Sequence, residues 1–87
     1  MSSSRIVSVK YFASIREALG QGQEQLETQA TTLGDLRDEL IARGGAYADT
    51  LARHRAVRMA LNQVMVSETD SLPALAEVAF FPPVTGG

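Results

Sequence analysis

The residues with reactive side chains are few and poorly placed for side-chain catalysis. The sole histidine, His54, stands between Arg53 and Arg55 in a polar stretch and reads as solvated. With no cysteine, the chain has no disulfide, no thiolate ligand for zinc and no thiol nucleophile. Glu17, Glu24 and Glu27 read as a solvated face, because nothing beside them in the sequence would shift a carboxyl pKa. No set of His, Cys and carboxylate residues has metal-ligand spacing. Gly20 and Gly22 are followed by Gln-Glu-Gln rather than by a helix carrying Lys and Ser or Thr, so they form no phosphate cradle. The chain by itself is a poor candidate for an enzyme.

What remains is the end of the sequence, Phe80-Phe81-Pro82-Pro83-Val84-Thr85-Gly86-Gly87. The last two residues lack Cβ, so they fit a channel that admits only backbone and leave the terminal carboxylate unshielded. Two prolines impose an extended exit at ~3.1 Å per residue, and a segment from Pro82 to Gly87 reaches roughly 18–20 Å from the body. A carboxylate is a poor electrophile, resonance-stabilised and ionised near pH 7 with an α-carboxyl pKa of ~3.5. Chemistry there requires activation by a partner, most simply with ATP as an acyl-adenylate. A sulfur or nitrogen nucleophile then captures the acyl group.

Composition narrows the partners. The chain has 87 residues, the length of one domain. Ten acidic against eight basic residues give a net charge of −2, the opposite of the clustered positive charge that nucleic acid or an anionic membrane demands. No apolar run approaches ~18 residues, and Met1-Ser2-Ser3-Ser4-Arg5 lacks a signal-peptide core, so the expected address is the cytoplasm.

The elements that must position the tail are legible from periodicity. Val7, Val9 and Tyr11 alternate with Ser8 and Lys10, predicting a strand over about 5–12. Ile15, Ala18 and Leu19 predict a short helix stopped by Gly20 and Gly22, and 25–28 a short second strand. Thr32 and Asp35 resemble a capping box. Leu33, Leu36, Leu40 and Ile41 then predict a helix over 33–43, ended by Gly44-Gly45, with Arg37, Asp38, Glu39 and Arg43 mostly on its other faces. Tyr47 and Leu51 leave a further helical turn open within 46–55. Residues 57–61 and 64–66 read as a hairpin about Asn62-Gln63, and 67–71 as a polar loop. Glu77–Phe81 is apolar on both faces and reads as a central strand ended by Pro82-Pro83. The expectation is a small α+β fold: a flexible 1–4, a domain over 5–81 and a tail over 82–87.

Val9-Lys10-Tyr11-Phe12-Ala13, Arg16-Glu17, Thr32-Leu33-Gly34-Asp35-Leu36, Ala60-Leu61-Asn62-Gln63 and the run from Glu77 to Gly87 together resemble the small subunits of molybdopterin synthase. The resemblance spans residues 5–87 and is most specific in the Phe-Phe-Pro-Pro-Val-Thr-Gly-Gly ending. It implies the ubiquitin-like β-grasp: a mixed four- to five-stranded sheet packed on one main helix, its first and last strands paired. It also implies a sulfur carrier that is active only with its partner. An adenylyltransferase similar to the ubiquitin-activating enzymes would use ATP to adenylate Gly87, and a persulfide donor would convert it to a thiocarboxylate. The tail would then enter the large synthase subunit, in a heterotetramer of two small and two large subunits. There its sulfur would pass to cyclic pyranopterin monophosphate to build the dithiolene of molybdopterin. No metal or cofactor is implied on this chain itself, nor nucleic acid or membrane as a partner.

Residue by residue, the resemblance makes Gly87 the sulfur-bearing terminus and Gly86 its slender neighbour. It assigns Phe12, Arg16, Met65 and Phe81 to a partner-facing surface, with Pro82, Pro83, Val84 and Thr85 leading the tail into the partner. Core packing is the competing role for Phe12, Met65 and Phe81, and a solvated charge for Arg16. The stretch Thr69–Ala76 lacks the Asp-Gly turn expected before the last strand, so that loop is expected to be rebuilt. Three other functions fit a glycine tail: a carrier for thiamine or cysteine synthesis, a protein modifier joined through Gly87 to lysine, or a binding module with an inert tail.

Overall fold

The computed structural model describes residues 4–82; Met1–Ser3 and Pro83–Gly87 lie outside the described residues. Its elements run β1 (Arg5–Tyr11), α1 (Ala13–Leu19), β2 (Gln23–Thr28), α2 (Leu33–Ile41), α3 (Gly45–Leu51), β3 (Arg58–Leu61), β4 (Val64–Val66) and β5 (Glu77–Phe81). The sheet order is β2-β1-β5-β3-β4. β1 and β5 are parallel at the centre, Tyr11 opposite Phe80, and every other pairing is antiparallel.

Period-two alternation sorts the strand side chains onto two faces. Val7, Val9 and Tyr11 of β1, Val78 and Phe80 of β5 and Met59 of β3 point inward and are buried. They pack against Ile15 of α1, Leu33, Leu36 and Leu40 of α2 and Leu51 of α3, forming one core. At roughly 1.5–3 kcal/mol for each fully buried large apolar side chain, this layer supplies the main drive to fold. Among the described residues, no helix is long and apolar enough to cross a membrane.

Local signals account for the helix ends. Thr32 Oγ1 accepts the Asp35 backbone N–H at 3.1 Å, as expected for the start of α2. The helix stops at Ile41, two residues short of the expected end, and Gly44 turns the chain at φ 77°. The turn left open at Tyr47 and Leu51 is α3. β2 begins at Gln23, earlier than expected, because its residues find partners on β1 that periodicity does not reveal.

Arg37 corrects the expectation that it lies on an outer face of α2: it is 3% exposed. Its guanidinium donates to the carbonyls of Leu51 (2.7 Å), Ala52 (2.6 Å) and Arg55 (3.0 Å), and sits 3.6 Å from Glu68. Arg53 adds ion pairs to Asp38 and Glu68. These contacts tie two irregular segments to α2 without a ladder or a helix. In the loop before β5, Ser67 N–H donates to Asp70 Oδ2 at 2.7 Å, and Leu75 turns the chain at φ 60° while its N–H donates to the Ile6 carbonyl.

The β3–β4 turn has Asn62 at φ 49° and Gln63 at φ 72°, the primed geometry that matches strand twist. Asn62 is fixed there twice, its N–H donating to the Glu77 carbonyl and its Oδ1 accepting the Glu77 N–H. Gln63 has no such contact and carries the left-handed penalty of ~1 kcal/mol. Gln63→Gly is therefore expected to stabilise the domain by ~0.5–1 kcal/mol, raising the melting temperature by about 3–6 °C in thermal unfolding.

Candidate functional site

The tail leaves the sheet from its central strand, and two adjacent phenylalanines divide the work there. Phe80 points inward, fully buried, its ring stacked on Tyr11 at 6.2 Å between centroids. Phe81 points to the other face, where its ring stacks on Phe12 at 4.7 Å and 9° between planes. Phe12 is 40% exposed and Phe81 half-buried, so the pair is a surface feature rather than core. The backbone of Phe12 locks the corner: its N–H donates to the Phe80 carbonyl at 3.2 Å, and its carbonyl accepts N–H groups of Ile15 and Arg16.

The other expected site residues fall on or beside the same face. Arg16 is exposed on α1 and borders, with Lys10 and Phe12, an open cleft of about 500 Å³. Gly22 floors that cleft; a Cβ there would lie 3.1 Å from Arg16 Nε. Pro82 is half-buried beside Ser14, Ala18 and Thr50 on the helical side. Met65, 54% exposed, stands at the far edge of the face. It is joined to the centre by the row Lys10, Ala79, Ala60, Met65, each opposite the next across β1, β5, β3 and β4. At ~4.8 Å per strand, Met65 lies roughly 10 Å from β5, within one protein contact. Ala79 and Ala60, both buried, form the floor between Phe81 and Met65. Sequence reading missed these alanines and Lys10, although alternation from Phe80 would have placed Ala79 with Phe81. Pro83, Val84, Thr85, Gly86 and Gly87 lie outside the described residues.

Glu24 is the clearest correction among the acidic residues. Rather than standing solvated, its side chain is 16% exposed and accepts from Tyr11 Oη (2.7 Å), Tyr47 Oη (2.9 Å), Gln21 (3.1 Å) and Arg43 (3.1 Å). Burial opposes its charge, but the hydrogen bonds from Tyr11, Arg43 and Tyr47 outweigh it and hold the carboxyl below the usual range. Burial first, then the bond to Glu24, pushes the Tyr11 phenol far above its ordinary value. Both Glu24 oxygens and both tyrosine hydroxyls are engaged within the protein, so this cluster braces the β1–β2 end against α3. Among the described residues, no group of three His, Cys, Asp or Glu is placed to hold a metal ion.

A mixed sheet with its first and last strands parallel at the centre, helices on one face and an open face on the other, defines the ubiquitin-like β-grasp class. The chain belongs to the ThiS family, whose model matches residues 9–87. A protein from Haemophilus influenzae named molybdopterin synthase sulfur carrier subunit is 34% identical over 82 residues, covering 94% of this chain and 100% of that one. One of the same name from Escherichia coli is 35% identical over 82 residues, again covering 94% and 100%. In structure, the chain is similar to the Haloferax volcanii HVO 2177 protein, with a TM-score of 0.80 at 27% identity over 97% of this chain and 88% of that one.

The Glu24 cluster has a measurable signature. A carboxyl held below its unfolded pKa of ~4.3 contributes stability that is present above that value and lost as pH falls through the lower folded one. The stability gap between the wild type and Glu24→Gln, measured by urea unfolding, is therefore expected to be full at pH 7 and to shrink below about pH 4. A gap that stays constant down to pH 2.5 would show that the carboxylate charge contributes nothing.

Proposed function

We propose that this chain is the sulfur carrier subunit of a molybdopterin synthase, acting in the cytoplasm through a carboxyl-terminal Gly87. The observation that carries the reading is the pairing of family membership through Gly87 with a tail base, Phe81-Pro82, anchored on the central strand beside an exposed aromatic pair. The curated relatives bear the name of that subunit and match over their full length.

The chemistry then runs through the terminus. The Gly87 carboxylate attacks the α-phosphorus of ATP on an activating enzyme, releasing pyrophosphate and forming a mixed anhydride. The terminal sulfur of a persulfide attacks the carbonyl carbon and AMP leaves. A thiol then cleaves the S–S bond of that adduct, which leaves the thiocarboxylate on Gly87 and a disulfide on the donor side. In the large subunit the thiocarboxylate sulfur bonds to a carbon of cyclic pyranopterin monophosphate, and water then cleaves the acyl–sulfur bond, which leaves the sulfur on the pterin and returns the carrier as a carboxylate. No side chain of this domain has to act as nucleophile, acid or base. What the domain contributes is recognition, through the open face bearing Phe12, Phe81 and Met65 and through Arg16 at its margin. Assembly as two small and two large subunits belongs to the same reading.

Intact mass spectrometry after co-expression with an activating enzyme and a sulfur donor tests this directly. The expected product is heavier by the difference between sulfur and oxygen, and one residue added after Gly87 is expected to abolish that gain with folding unchanged. Unmodified chain, or high-mass conjugates to lysine in its place, would overturn the reading.

The two phenylalanines give a second test. Phe80→Ala empties the core and is expected to cost ~3–5 kcal/mol of stability. Phe81→Ala is expected to cost far less in unfolding but to weaken binding to the large subunit by ~30-fold or more, the loss of an interface anchor worth ~2 kcal/mol. Equal affinity of Phe81→Ala and wild type would assign Phe81 to stability alone.

A further inference from the structure

The charge around the tail base is not that of the whole chain. The chain carries −2 and seven arginines, four of which are committed internally. Arg37, Arg43 and Arg53 are in ion pairs, and Arg5 donates to the carbonyls of Ala30 and Leu72. Among the described residues, Arg16, Arg55 and Arg58 form no ion pair. All three flank the point where the tail departs. Arg58 lies directly opposite Phe81 in the β3–β5 ladder, so it shares the open face with the aromatic pair. Arg55 borders a cleft with Pro82 on the other flank.

Neither position is a loose surface charge. Arg58 is on a paired strand next to the centre of the sheet. The backbone of Arg55 is fixed from beneath, its carbonyl accepting both the buried Arg37 guanidinium (3.0 Å) and the Val57 N–H (2.8 Å). On the open face Glu77 is engaged by Lys10 at 3.4 Å. Glu77 lies four residues before Phe81 on the strand, ~13 Å away along it, beyond the ~8–10 Å over which exposed charges act at physiological salt. The exposed Glu17 and Asp49 sit on α1 and α3, on the opposite side of the sheet from Arg58, and Asp70, in the loop after β4, accepts the Ser67 N–H at 2.7 Å and forms no ion pair with Arg58. A partner that covers Phe12 and Phe81 must therefore cover Arg58 as well, and a carboxylate there is the strongest compensation for its lost hydration.

We propose that Arg58, supported by Arg55 across the tail base, is the electrostatic docking contact for a carboxylate-bearing rim on the subunit that takes the tail. This rests on the sulfur-carrier reading and adds the chemistry of the partner's surface to it. Arg58 steers the approach and fixes the register of the open face; the aromatic pair supplies the apolar contact.

The test is binding of full-length variants to the large synthase subunit by stopped-flow at two salt concentrations. Arg58→Glu is expected to bind about tenfold or more weakly than wild type at ~0.05 M salt, mainly through a slower association rate, with the gap closing to about twofold at ~0.5 M. Arg58→Lys is expected to restore most of the association rate, and Arg55→Glu to give a smaller loss of the same salt dependence. Arg58→Glu is expected to show the same loss in a chain lacking Gly86 and Gly87, because the arginine addresses the partner rather than the tail's own carboxylate. Unchanged affinity at low salt, a deficit that persists at high salt, or an effect that vanishes in the truncated chain would each overturn the proposal. Wild type that gains the thiocarboxylate while Arg58→Glu binds normally leaves the carrier function standing and removes only the Arg58 docking contact. Failure of the wild-type chain to bind the large subunit at all would overturn both.

Discussion

The parallel pairing of β1 with β5 is the contact on which the rest of the structure depends. It joins the two ends of the domain at the centre of the sheet, with Tyr11 opposite Phe80 and both rings inside. Once Phe80 is committed to the core, the pleat leaves its neighbour no choice: Phe81 must face the other way. A one-residue slip of β5 would exchange the two, placing the tail's aromatic anchor inside and the core residue in water. Burial of Phe80 therefore sets the position of the surface pair Phe12–Phe81, and stability and recognition share one register.

The rest of the domain has to hold that register with little regular structure. Residues 52–57 and 67–76 contain no strand or helix among them. Arg37 compensates by reaching from α2 to three carbonyls of the first segment and to Glu68 in the second. Burial lowers the tendency of its guanidinium to hold a proton, and Glu68 opposes that effect. A guanidinium suits the task because its donors fan out in one plane and its charge survives burial. Those segments lead into β3 and β5, so the arginine in the helix layer indirectly fixes the two strands that carry Arg58 and Phe81.

Much of this was legible in the residues before any fold was known. Val7, Val9 and Tyr11 at period two, and Leu33, Leu36 and Leu40 at helical spacing, define β1 and α2 within two residues of their ends. The Phe-Phe-Pro-Pro junction identifies the last strand and where it must stop. The charged residues were not legible, and the reason is sequence separation. Glu24 acquires its character from Tyr47, 23 residues on, and Arg37 from carbonyls 14 to 18 residues on. A local window contains only Gln21 of the first set and none of the second, so both residues look like ordinary solvated charges. Whether Phe12, Met65 and Phe81 were core or surface was undecidable for a related reason. Each is apolar in an apolar run, and only the strand register assigns a face.

The open face also explains why so small a domain needs no pocket of its own for the proposed chemistry. A carboxyl terminus moves the reacting atoms away from the body, so the body is free to be a solid core with one shaped exterior. That exterior is contiguous with the tail: Phe81 is on the face and Pro82 begins the exit. On the proposed reading, a protein that admits the tail has to cover the same aromatic pair, which would restrict the carrier to one such partner at a time. Sequential loading and unloading then requires each complex to dissociate, which favours contacts of moderate strength with fast association. Two half-exposed aromatic rings beside arginines that form no ion pair among the described residues meet that demand better than a large apolar interface, because exposed charge accelerates encounter more than it slows release.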